Sequence, residues 1–447
     1  MISHASQRAA NSDRIAAEEQ SQWLVTAFIA SGMIFMLLPG TFLGVWNLID
    51  ISREQTLGSL SSAWLQAHGQ AQLFGWVGSF ILGIGFYSLT KIQSTLTFPA
   101  RSGWAAWVLW TLGITLRWTA GVAAWHWKIL MPLSAVLELA AFVLFYRSVR
   151  RHGPKSSAAG AKETWMLLVA GGTIAFLLAL IVNLGAVIFV AARSDTPALP
   201  HVFDQQLILL MVWGVLVPTI WGFNARWLPI FGGLKKPDSN HLRCAYGLSI
   251  VGLAIVFLQW WAASAALLLF VAFLVVEALH VWEPAVQPAK LQGVHASFPY
   301  FLRIPYVWLV ISCVLNAMAV RLDQSGGIWG ASRHAITVGF VAGMVFVIGQ
   351  RLLPAFCGMR TLWSPKLMLW SLLALHVGCA LRVTLEPLAY EGYWRFAWRI
   401  LPYSALVELA AVTLFAWNIF ATLLQPPAHL GVAASQPIRG ATASLTQ

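Results

Sequence analysis

The chain has 447 residues, 59% of them apolar and 10% charged, with a mean hydropathy of +0.72. A soluble domain carries about a quarter charged residues, so that class is excluded, and apolar runs that are continuous rather than alternating exclude an outer-membrane barrel. The net charge of +12 is spread over the segments between apolar runs, so it reads as a membrane-topology signal and not as a nucleic-acid surface.

Residues 1–22 are polar and contain no apolar core, which predicts a cytoplasmic tail and no signal peptide. Apolar spans follow near 23–46, 66–90, 104–123, 128–147, 165–191, 206–225, 244–260, 263–281, 302–320, 334–350, 367–386 and 400–424, and a second polar tail occupies 425–447. A run of about 20 apolar residues crosses a bilayer as a helix. The predicted fold is therefore all-α, a polytopic membrane protein of about twelve transmembrane helices. The 24 tryptophans suit interfacial belts. With the N-terminus inside, 19 of the 28 Lys and Arg fall in inner segments and 7 in outer loops, while Arg117 and Arg382 sit within spans. That bias places both termini in the cytoplasm, with the segment RSVRRHGPK after the fourth span as the strongest anchor. Cys244, Cys313, Cys357 and Cys379 are too scattered for a zinc site or a disulfide framework.

Two strings in the chain nearly coincide: PLSAVLELAA from Pro132 to Ala141 and PYSALVELAA from Pro402 to Ala411. Each places a glutamate, Glu138 or Glu408, inside a span. Upstream of each lies an in-span arginine, Arg117 or Arg382, and farther upstream a histidine that opens a span, His68 or His334. The His-to-Arg spacings are 49 and 48 residues. A weaker third copy is marked by ARWLPIF (Ala225–Phe231) against QRLLPAF (Gln350–Phe356). These matches predict three parallel four-helix repeats, 23–150, 164–283 and 302–424, about an axis along the membrane normal. The middle copy lacks the arginine and has Leu268 in place of the glutamate, so the polar site is expected between the first and third.

Ionisable groups in lipid are costly and usually mark function. His68 and His334 open even-numbered spans, at the outer end of the bilayer core, and pseudosymmetry would turn both toward one axis. Two such imidazoles can supply both axial nitrogens of a b-type haem; the alternative is an interfacial histidine bonded to a loop carbonyl or water. Glycines after each (Gly69, Gly75 and Gly78; Gly339 and Gly343) permit close approach of a flat ring or a helix. Arg117 and Arg382 could fork onto haem propionates. Glu138 and Glu408 could pair with those arginines between helices or mark a proton or anion path. His376 is a candidate second haem or copper ligand, or a core histidine. His201 could ligate only if its loop folds inward, and His126 belongs to an outer loop. His4, His152, His241, His280, His295 and His429 are expected in solvated inner segments.

The residues also support a family comparison. His334-Ala-Ile-Thr-Val-Gly resembles the His-Ala-Leu-Thr-x-Gly motif of the NnrS family, and Ala67-His68-Gly69-Gln70 leading to Leu73-Phe74-Gly75 resembles that family's His-Ala-His-Glu-Met-Leu-Phe-Gly segment. Gln66 stands where the family has its first histidine, and Gly69-Gln70 replaces Glu-Met. The resemblance implies a bacterial inner-membrane protein of about twelve helices, with haem and copper, linked to the response to nitric oxide and nitrosative stress. It puts His68, His334, His376 and His201 forward as metal-binding candidates and nitric oxide as a ligand; the lost histidine bears on copper in particular. The helix plan also looks like subunit I of haem-copper oxidases, but the seventh span has no histidine and the tenth has one, which does not supply that family's binuclear centre. No nucleotide loop or Cys-x-x-Cys-His site is present, so electrons would come from a quinol or respiratory-chain partner. A cofactor-free transporter or channel, and an assembly subunit of a respiratory complex, remain the alternatives. Catalytic residues, if any, are unknown from the sequence.

Overall fold

The computed structural model describes residues 4–92, 99–152, 163–359 and 361–425. The tail from residue 426, with His429, the basic loop from residue 153, and the side chains of His4 and His152 lie outside what is described. Twelve long helices form among the described residues: α1 Ile15–Glu54, α2 Ser62–Leu89, α3 Ala100–Ala123, α4 Trp127–Arg151, α5 Thr164–Arg193, α6 His201–Phe231, α7 Ser239–Phe257, α8 Trp261–Ala278, α9 Phe298–Leu322, α10 Gly327–Phe356, α11 Pro365–Tyr390 and α12 Ala397–Leu423. Among the described residues eleven are long and apolar enough to cross a membrane. The twelfth, α3, has 24 residues, but Arg101, Arg117 and four tryptophans dilute its hydropathy. No strand occurs among the described residues. Helices satisfy their backbone groups internally, which is what a lipid environment demands.

Short loops join α3 to α4, α7 to α8 and α11 to α12, so each of these pairs runs antiparallel. One buried apolar cluster threads the bundle, with Phe74, Trp110, Phe142, Phe176, Trp221, Phe340, Phe346 and Phe415 among its largest members. At its centre Phe346 of α10 stacks on Phe415 of α12 at 4.0 Å, and Trp76 of α2 meets Phe346 edge-on at 6.1 Å.

The pairs α3–α4 and α11–α12 touch in the same way. A methyl group added at Gly113 would lie 2.9 Å from Glu138 Cγ and 3.0 Å from the Ser134 carbonyl; one at Gly378 would lie 2.6 Å from Glu408 Cγ and 3.2 Å from the Ser404 carbonyl. Small residues let helix backbones approach in this manner. Gly378→Leu is expected to force α11 off α12 at a cost of about 1–3 kcal/mol, read as a lower unfolding temperature of the detergent-purified protein.

Among the described residues four helices contain a π-helical stretch: Met36–Phe42 in α1, Ala71–Gly78 in α2, Leu210–Leu216 in α6 and Ala335–Ala342 in α10. A π turn widens the helix and re-aims the side chains around it, and such turns gather at functional sites. Pro39 lies inside the first and cannot donate a backbone hydrogen bond. The stretch in α10 begins directly after His334, and that in α6 directly after Leu209.

Candidate functional site

A cavity of about 500 Å³ opens among the helix ends where α2, α6, α10 and α12 begin. His68, His334, Arg117, Arg382, Glu386 and Glu408 line it, with Asp204, His201 and Arg333 toward its mouth. Trp76 and Phe346 also contribute to its wall, so the stacked aromatic layer lies against one side of it.

Helix α2 is started by Ser61, whose hydroxyl accepts from the Ala63 amide at 3.3 Å. That start places His68 two turns in, with its ring against Gly44 of α1, where a methyl group would come within 2.6 Å of Cε1. Only glycine leaves room for the imidazole there. His68 Nδ1 lies 2.9 Å from the Gly40 carbonyl. At the start of α10, Asp323 accepts from the Gly326 amide at 2.6 Å and the Trp329 amide at 2.7 Å, with Gly326 at φ 84°. His334 follows, its Nδ1 lying 3.2 Å from the Gly330 carbonyl and 3.6 Å from Glu386 Oε2. A carbonyl can only accept, so Nδ1 carries the proton in both histidines. Each Nε2 lone pair is then free, the arrangement found when a histidine ligates a metal and is steadied through its other nitrogen.

The two arginines differ. Arg382 forks onto Glu386, one helical turn ahead on α11, with Nε donating to Oε2 at 3.0 Å and a terminal nitrogen to Oε1 at 3.3 Å. Its other terminal nitrogen has no partner. Arg117 is 5% exposed and, among the described residues, makes no hydrogen bond or ion pair. Neither Glu138 nor Glu408 forms an ion pair with its arginine. Glu138 instead accepts from Gln70 at 3.4 Å, and each of the two glutamates keeps one oxygen unpartnered. Gln70 lines the cavity and connects Glu138 to it.

His376 lies elsewhere. It packs on Gly343, about 13 Å along α10 from His334 at 1.5 Å per residue. Its ring stacks on Phe301, and its Nδ1 accepts from the Trp308 indole at 3.1 Å. Nε2 therefore holds the proton, buried and unpartnered, and no lone pair is open in this arrangement. His201 is exposed at the start of α6 on the cavity rim, and His126 is exposed in the loop after α3. Gln66 is engaged: its amide donates to the Leu199 carbonyl at 2.9 Å and accepts from the Leu199 amide at 2.7 Å, clipping the segment before α6 to α2. Gln66→Ala should speed amide exchange at Leu199 and cost about 1–3 kcal/mol for the two lost bonds, measured by hydrogen–deuterium exchange. Among the described residues, no three of His, Cys, Asp and Glu gather as a metal-holding cluster.

Sequence reasoning missed Glu386 and Asp204, and it noted Gln66 and Gln70 without their partners. Glu386 carried a signal, since an acid four residues after an arginine on a helix lies on the same face. The place of Asp204 and the partner of Gln66 carried none, because they depend on how α6 meets α2.

The family model described as NnrS protein matches residues 23–426. No curated protein matches the chain.

Proposed function

The chain belongs to the NnrS family, and on that premise we propose that it is a haem-binding integral membrane protein that binds or responds to nitric oxide. One observation carries the reading: His68 and His334, on different helices, line one cavity with Nδ1 donated to a carbonyl and Nε2 free. A haem held by the two imidazoles would supply an iron at which nitric oxide could bind in exchange for one of them. The chain's own residues do the rest. Gly40, through its carbonyl, and Gly44, by leaving room, fix the His68 ring, and the Gly330 carbonyl and Glu386 fix that of His334. Arg117, with the remaining nitrogen of Arg382, is the proposed contact for propionates. Trp76 and Phe346 form part of the apolar wall of the cavity, with Phe415 stacked behind Phe346.

In this reading the cavity mouth faces outward from a bacterial inner membrane, with both termini in the cytoplasm and a quinol or respiratory partner as electron source. A copper ion remains an expectation of the family resemblance alone. The test is an absorption spectrum of the full chain purified in detergent, before and after haem titration and then with nitric oxide. A Soret band that shifts with nitric oxide is the expected result. A protein that carries no haem and takes none up would end the reading.

A further inference from the structure

Arg117 is a buried cation lining a cavity, and among the described residues nothing fills its fork. Removing a guanidinium from water costs several kcal/mol unless an anion compensates it. Its counterpart in α11 identifies the missing group. Gly113 and Gly378 each precede the arginine by one helical turn, and each packs on the glutamate of the next helix with nearly the same contacts. The two helices part at the following turn. There α11 has Glu386, whose carboxylate fills the Arg382 fork, whereas α3 has Gly121. A methyl group at Gly121 would meet only Ala67 Cβ at 3.3 Å and the Ala63 carbonyl at 3.5 Å, so no acid among the described residues occupies that place. Glu138 and Asp204 act on Arg117 through space but do not bond to it; Glu138 is held by Gln70.

We propose that Arg117 centres an anion subsite in the cavity, taking a planar carboxylate-type anion where Arg382 already holds Glu386. Guanidinium forks match such anions in two parallel hydrogen bonds. The anion is either a haem propionate, in which case the site deepens and rests on the haem reading, or a free small oxyanion entering at the mouth, in which case it does not.

The full chain, purified in detergent from cells blocked in haem synthesis, is titrated calorimetrically with sodium nitrite and with formate. It is then titrated optically with haem and with haem dimethyl ester, whose propionates are masked. Arg117→Gln is expected to weaken the responsible anion at least tenfold. Gly121→Glu should do the same by filling the fork internally, as Glu386 does beside Arg382. Arg117→Lys, which keeps the charge and loses the fork, should fall between. Weakening confined to nitrite and formate assigns a free oxyanion; weakening of haem but not of its dimethyl ester assigns a propionate. If nitrite, formate and haem all bind the Arg117→Gln and Gly121→Glu proteins as they bind the wild type, or if none of them binds the wild type, the subsite is overturned. A chain that binds nitrite through Arg117 and never takes haem sinks the haem reading alone.

Discussion

Replacing His68 and His334 together by alanine is expected to abolish haem binding, with the Soret band of the purified protein gone and titrated haem left in the detergent micelle. Each single replacement should leave one axial nitrogen, so the band should weaken and shift. The reason lies in the tautomers. Both imidazoles give their Nδ1 proton to backbone carbonyls, Gly40 at 2.9 Å and Gly330 at 3.2 Å, so both keep a lone pair on the nitrogen that remains. Gly44→Ala offers a milder check on the same geometry. Its methyl group would press on the His68 ring, and haem affinity should drop while His334 is untouched. A double alanine variant with an unchanged spectrum would move the cofactor elsewhere.

Glu386→Ala is expected to have the largest effect on stability. It leaves the Arg382 guanidinium, 8% exposed, without its carboxylate, and breaking a buried pair from one side costs about 3–5 kcal/mol. The cost should appear as a marked fall in unfolding temperature in detergent. Arg382→Met combined with Glu386→Leu should recover most of it, because an apolar pair of similar volume removes both desolvation penalties. If the single variant unfolds at the wild-type temperature, the fork seen between Nε, the terminal nitrogen and the two carboxylate oxygens is not holding α11 together. Glu386 also lies 3.6 Å from His334, so the single variant should disturb haem uptake as well.

These two experiments separate what kind of residue a position needs from which partner it finds. The sequence by itself determined the class: apolar runs long enough to cross a bilayer, with few charges, leave only a helical bundle, because burial in lipid acts on each segment's composition whatever its neighbours. It also marked His68, His334, Arg117 and Arg382, since ionisable groups within such runs stand out against their surroundings. Only the tertiary structure decided the partners. Across helices, Glu138 is met by Gln70, Gln66 holds the backbone at Leu199, and Arg117 is left open among the described residues. Each of these outcomes turns on how closely groups on different helices approach, which glycines and π turns help to set. Periodicity along a chain carries no information at that scale.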